Sequence, residues 1–263
     1  LEIVMSCYKL LNVDANPKTV KGRPHGYATA VLYLAPWKSA GVNVCPMAEV
    51  AGCNVSCLNT AGRGGIARAT FTPHGVTLPD NAIQRARIRR TRLYVENRAQ
   101  FMNDLCEEIA RFVRSSRRLG LEPCVRLNGT SDILWEREAD HAEFTVFDNF
   151  PDVQFYDYTK LPKRLLTRLP PNYHLTLSYS GANEAYARKV EQVADTANAS
   201  VVYVLRTKHA KAEALRICGE SGVDGDSHDL RFLDPPGSRV FLSAKGAAKH
   251  DRSGFVLDGW QRP

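Results

Sequence analysis

Cys45, Cys53 and Cys57 fall within thirteen residues, in the run NVCPMAEVAGCNVSCLNTAGRGG. Thiolates that close together are soft ligands for a metal or an iron–sulfur cluster, and a cluster with three protein ligands keeps one iron open for chemistry. The spacing Cys-x7-Cys-x3-Cys does not match the paired Cys-x2-Cys of zinc ribbons. The nearest histidine, His74, lies seventeen residues beyond Cys57, so a zinc site would draw its fourth ligand from a distance. Pro46, Gly52 and the AGRGG run at 61–65 suit a loop that curls round an inorganic core and offers backbone N–H groups to sulfide. The expectation is a 4Fe-4S cluster on Cys45, Cys53 and Cys57, with Arg63 and Gly64 in its binding loop; zinc and structural thiols are the alternatives. Cys124 and Cys218 stay open as a fourth ligand.

Further polar groups collect where apolar runs end. Asn128 and Asp132 follow the run 123–127, Asp157 and Lys160 close 153–158, and Lys245 follows 239–243. In α/β sheets the carboxyl ends of the strands form the ligand site. Asp132, Asp157, Lys160 and Lys245 are therefore the expected catalytic groups, with Asn128 beside Arg63 and Gly64 in binding. Asp224, Asp226 and Asp229 in DGDSHD could hold a hard cation or form an Asp/Gly turn. His174 and His228 could act as acid or base, or serve structure alone. No Gly-x-Ser-x-Gly elbow, Walker A loop or His-Glu-x-x-His occurs.

The elements that must carry these residues alternate. A buried strand is expected at 28–34, then the cysteine loop, a helix capped by Asp80 and running to about Glu96, and a second helix ending at Gly120. Strands follow at 123–127, 153–158, 173–178, 201–205 and 239–243, with helices at 139–149, 160–168 and 182–195. Such alternation implies parallel strands joined by right-handed crossovers. The reading is one α/β domain: a partial (β/α) barrel of about six mostly parallel strands, with the cluster loop after the first. Residues 1–27 form an N-terminal extension, 28–245 the barrel-like core and 246–263 a C-terminal tail.

At 263 residues and 44% hydrophobic, the chain can bury one large core. No apolar run approaches the roughly 18 residues of a membrane span, and the opening LEIVMSCYKL lacks a signal-peptide pattern. With seven cysteines, an odd number, a disulfide framework is a poor reading, so a soluble cytoplasmic protein is expected. The net charge is +7, and RARIRRTRLYVENR at 85–98 holds six arginines. They could grip nucleic acid, form a solvated face paired with Glu96, Asp104, Glu107 and Glu108, or hold an anionic cofactor or cluster.

A three-cysteine loop after the first strand of an α/β barrel resembles the radical SAM arrangement, in which the open iron holds S-adenosylmethionine. The spacing here departs from that family's Cys-x3-Cys-x2-Cys, so S-adenosylmethionine is an alternative rather than an implication. The segments NVCPMAEVAGCNVSCLNTAGRGG, QRARIRRTRLY, VRLNGTSDI, FPDVQFYDYTK, DGDSHDLRFLDP and AKGAAKHDRSGFV resemble the bacteriophage gene product 88-like proteins over about 22–256. That resemblance implies a viral protein acting in the cytoplasm of the infected bacterial host, with an iron–sulfur cluster on the three cysteines. The resemblance assigns no reaction; an open-site cluster itself allows two enzymatic readings on a small-molecule substrate: an open iron acting as Lewis acid for hydrolysis or hydration, or radical chemistry on a nucleotide or other small substrate. A nucleic-acid-binding protein with a structural cluster is the rival.

Overall fold

Six strands lie side by side in the order in which the chain makes them, the winding of a (β/α) barrel left open. The computed structural model describes residues 9–14, 16–65, 70–72, 75–77, 81–139 and 143–261. Its strands are β1 (Leu11–Val13), β2 (Tyr27–Leu32), β3 (Thr70–Thr72), β4 (Gly75–Thr77), β5 (Glu122–Arg126), β6 (Gln154–Thr159), β7 (Tyr173–Ser178), β8 (Val201–Leu205), β9 (Gly222–Asp224), β10 (Arg239–Ser243) and β11 (Val256–Leu257). The α-helices are α1 (Pro17–Val20), α2 (Ala82–Glu96), α3 (Arg98–Arg118), α4 (Val146–Asn149), α5 (Glu184–Ala197) and α6 (Lys208–Cys218). The main sheet runs β1-β2-β5-β6-β7-β8-β10-β9, with β3 and β4 paired separately. Only β1 is antiparallel in the main sheet.

The expected strands at 28–34, 123–127, 153–158, 173–178, 201–205 and 239–243 are the six central ones, β2, β5, β6, β7, β8 and β10. The extension and the tail both enter the sheet. β1 borders β2, and β11 pairs with β8 through Val256–Val204 and Leu257–Leu205, on the edge where β7 reaches only Val201 and Val202. The sheet thus forks at its carboxyl end, and the C-terminal segment fills the fork.

Alternation divides the side chains between two layers. On one face Ala28, Ala30, Leu32, Val125 and Phe155 pack against Phe101, Leu105, Ile109 and Phe112 of α3. Further along, Val201, Tyr203 and Phe241 meet Tyr186, Val190 and Val193 of α5 and Ala210 and Ala214 of α6. The opposite face is covered by the chain after β9. Leu230 packs on Cys124 and Tyr156, and Phe232 lies edge-on to Tyr27. Asp229 accepts from Arg126 Nη1 at 3.1 Å, Tyr156 Oη at 3.3 Å and Tyr158 Oη at 3.4 Å, while the fully buried Arg231 pairs with Asp234 at 3.1 Å.

Several local expectations change. Of the helix expected at 139–149, only Val146–Asn149 is helical among the described residues. A Thr145–Asp148 capping box starts it, and Phe150 before Pro151 leaves helical conformation. At 160–168 the chain makes a 3-10 turn, Pro162–Leu166, because Arg164 is drawn into the core onto Asp132 and Glu136. Asn81 caps α2; Asp80 lies outside the described residues. The hard-cation alternative for DGDSHD also gives way. Asp226 pairs with Lys18 and Lys245 at 3.1 Å and with Lys211 at 3.2 Å, and Asp224 pairs with Lys211 at 2.7 Å, so the chain's own ammonium groups hold these carboxylates. No described helix is long and apolar enough to cross a membrane.

Asp157, fully buried on β6, accepts from the Asn128 N–H at 2.7 Å and the Tyr173 hydroxyl at 3.0 Å. Burial nevertheless pushes its carboxyl up to about 7, against the pull of Arg126 and these donors. A carboxyl raised on folding stabilises fully below its unfolded value, near 4, and loses that contribution as pH rises through 7. Urea unfolding should therefore carry a contribution from this group that declines between pH 4 and 7, by at most about 4 kcal/mol. Asp157→Asn should flatten that slope; an unchanged pH profile in the variant would refute the assignment.

Candidate functional site

The cysteine loop leaves β2 and crosses the carboxyl edge of the sheet, fastened from four directions. The loop after β5 holds its start. Thr130 Oγ1 donates to Leu34 O at 2.5 Å, and the Asp132 N–H donates to Val44 O at 2.9 Å. Beyond the end of β7, Ser180 Oγ donates to Ala51 O at 2.7 Å. The C-terminal segment follows, with Ser253 Oγ on Gly52 O at 3.0 Å and Ser56 Oγ on Asp251 Oδ1 at 2.5 Å. Gly52 has φ +64°, and a Cβ there would meet Ser253 and Ala182 at under 3 Å, so both conformation and space require glycine. Finally α2 grips the far end. Gln84 Nε2 donates to Asn59 O and Gly64 O at 3.0 and 2.9 Å, and Arg87 Nη1 donates to Asn59 O at 3.1 Å.

All three thiols are half-buried and unbridged. Cys45 Sγ accepts the Trp37 N–H at 3.3 Å and lies 3.6 Å from Thr130 O, and Cys57 Sγ accepts the Asn59 N–H at 3.4 Å. Burial raises the Cys45 thiol well above its ordinary range, with Cys57, Asp132 and Cys53 adding to the effect. Burial likewise raises Cys53, opposed first by Lys160. Cys57 is pushed up to about 11 by burial, against the Asn59 N–H, Arg87 and Lys160. The three sulfurs therefore lie within electrostatic reach of one another, Cys53 and Cys57 also of Lys160, and Cys57 of Arg87 as well. Among the described residues no three His, Cys, Asp or Glu side chains converge on a single-cation position.

Lys160 follows β6, and burial lowers its pKa. Its Nζ donates to Ser178 Oγ at 2.9 Å and lies 4.5 Å from the centroid of the Phe255 ring. Its own N–H donates to Asp132 Oδ2 at 2.7 Å, while Asp132 Oδ1 takes the Thr159 hydroxyl at 2.8 Å and Arg164 Nη1 at 3.1 Å. Asp132 and Lys160 thus stand beside the cysteines. Asp157 and Asn128 sit behind them: Asn128 Oδ1 receives Ser131, Ile133 and Trp135, and its Nδ2 donates to Ile133 O. Lys245 turns instead to Asp226. Gly64 is buried beneath Gln84; the Arg63 side chain lies outside the described residues. Cys124 donates to Ala28 O in the layer covered by Leu230, and Cys218 sits beside Ser221 at the end of α6.

The basic helix is not a continuous ridge. Arg87 and Arg90 are buried, Arg90 on Lys9 O and Tyr33 O, and Arg98 pairs with Glu138 across the Tyr94 ring. Arg85, Arg89 and Arg92 remain exposed. The spacing of Gln84, Arg87, Thr91 and Tyr94 held the signal for an inward polar stripe, which arginine density masked. Ser56, Asp251 and Ser253 carried no comparable signal, because their meeting depends on residues some two hundred apart.

An open, singly wound α/β sheet with a three-thiol loop across its carboxyl edge defines the class of molecule. The chain belongs to the gene product 88 family, whose family model matches residues 9–259. No curated protein and no solved structure matches it.

The buried thiols should be protonated at neutral pH when no metal holds them. Alkylation of metal-free protein, followed by mass spectrometry, should show Cys57 reacting mainly above pH 10. Lys160→Met should slow Cys53 and Cys57 further at a given pH by removing a cation that favours their thiolates. Equal profiles for variant and wild type would contradict the arrangement.

Proposed function

We propose that this chain is an iron–sulfur enzyme of bacteriophage origin, working in the host cytoplasm, with a 4Fe-4S cluster on Cys45, Cys53 and Cys57. The supporting observation is the pairing of three adjacent soft ligands, in a loop fastened from four sides, with the buried Arg87 and the half-buried Lys160. Soft thiolates suit zinc or iron–sulfur centres, and metal binding releases the protons that burial otherwise keeps on them. The sulfurs share one region, and a 4Fe-4S cluster would take one thiolate on each of three irons.

A cluster held by three thiolates supplies an open iron that can polarise a carbonyl or activate water. Around it, Lys160 offers a desolvated amine within reach of Ser178 for proton transfer, and Asp132 fixes the Lys160 backbone rather than swinging free. The reaction this supports is hydrolysis or hydration of a small molecule. A second reading, radical chemistry with S-adenosylmethionine, draws on the six consecutive parallel strands with the cysteine loop after the first of them. Nucleic-acid binding through the 85–98 helix has less support, since Arg87 and Arg90 point inward.

Anaerobic purification should yield about four irons and four sulfides per chain, and Cys→Ser at 45, 53 or 57 should remove most of both. One zinc per chain, or iron retained by all three variants, would overturn the proposal. Formation of 5′-deoxyadenosine from S-adenosylmethionine under reducing conditions would select the radical reading over the Lewis-acid one.

A further inference from the structure

Arg87 is 8% exposed, and among the described residues no carboxylate pairs with it. Its Nη1 is spent on Asn59 O and Oδ1, its guanidinium lies 5.0 Å from the Tyr33 ring centroid, and its Nε is buried without a hydrogen-bond partner. Three residues earlier on the same helix, the buried Gln84 Oε1 is also unpartnered. A desolvated cation is costly unless an opposite charge answers it. Besides the Tyr33 phenol, the group able to become negative that Arg87 acts on is Cys57: Arg87 binds Asn59 O, and the Asn59 N–H donates to Cys57 Sγ.

We propose that Arg87 is the built-in counter-charge of the cysteine centre, a positioning residue that holds the 57–59 turn and favours the more negatively charged state of the cluster bound there. This rests on the cluster reading above. Reduction of a thiolate-bound cluster adds one electron and therefore one negative charge, and nearby net charge is among the factors that set its potential. A fixed guanidinium beside Cys57 stabilises the reduced form relative to the oxidised form. Replacing it by a neutral group makes reduction harder, whereas a lysine restores much of the charge without the fork that binds Asn59.

The test is an anaerobic potentiometric titration, followed by EPR, of the full chain as wild type, Arg87→Gln, Arg87→Lys and Arg89→Gln, with iron and sulfide measured on each. Arg89 is exposed on the same helix and controls for net charge. Arg87→Gln should shift the midpoint to more negative potential, cutting the reduced-to-oxidised ratio at a fixed poise by at least about threefold. Arg87→Lys should lie near wild type, and Arg89→Gln should not move. An Arg87→Gln midpoint equal to wild type at full cluster content overturns the inference. If Arg87→Gln does not load, a loaded Arg87→Lys with the wild-type potential supports it, and an Arg87→Lys that also fails to load or is shifted as far as a neutral residue would require overturns it. A wild-type chain without iron defeats the cluster reading itself, a separate result.

Discussion

Asp132 is buried, and a carboxylate there is tolerable only because the Thr159 hydroxyl, the Lys160 N–H and Arg164 all point at it. Those three donors come from the end of β6 and the turn after it, so the interaction fixes the loop after β5 against the next strand. The same loop then reaches the other way. The N–H of Asp132 holds Val44, Thr130 holds Leu34, and the Thr130 carbonyl faces Cys45. The sheet's geometry is thereby passed to the cysteine loop through one short segment, and Asn128 braces that segment internally with four hydrogen bonds.

The central strands were legible because each is a short apolar run bounded by turn residues, and a parallel sheet buries both faces of such runs. Strands 173–178, 201–205 and 239–243 have the expected bounds. β9 and β11 were not legible: three and two residues carry no periodicity, and pairing alone defines them. Among the site residues, cysteine spacing is local and visible, and the order of strands explains why Lys160 and Asp132 join it. Lys245 also follows a strand, but its ammonium group finds Asp226, a partner no strand-end rule could supply. Arg87 was hidden for the opposite reason. A run of six arginines looks like surface, and only the helical phase separates those that point inward.

The inner layer changes where chemistry could occur. In an open, singly wound sheet the face without helices is the natural place for a ligand, yet here 225–234 fills it with Asp229, Leu230, Arg231 and Phe232. Charge there is internally compensated, with Arg126 answered by Asp229 and Arg231 by Asp234. The cysteine loop is different: among the described residues no carboxylate pairs with Arg87 there.

The fork in the sheet sets an order on assembly. Asp251 and Ser253 reach Ser56 and Gly52 across 195 and 201 residues, and β11 can enter only after β7 and β8 have diverged. Contacts that close such long loops form late, because the entropy of bringing the ends together must be met before they return anything. During synthesis the three thiols stay without their last wall until residues 251–257 are made. Enclosure of the cysteine loop is thus tied to residues 251–257: a chain without them would present cysteines but not the walls that shield them.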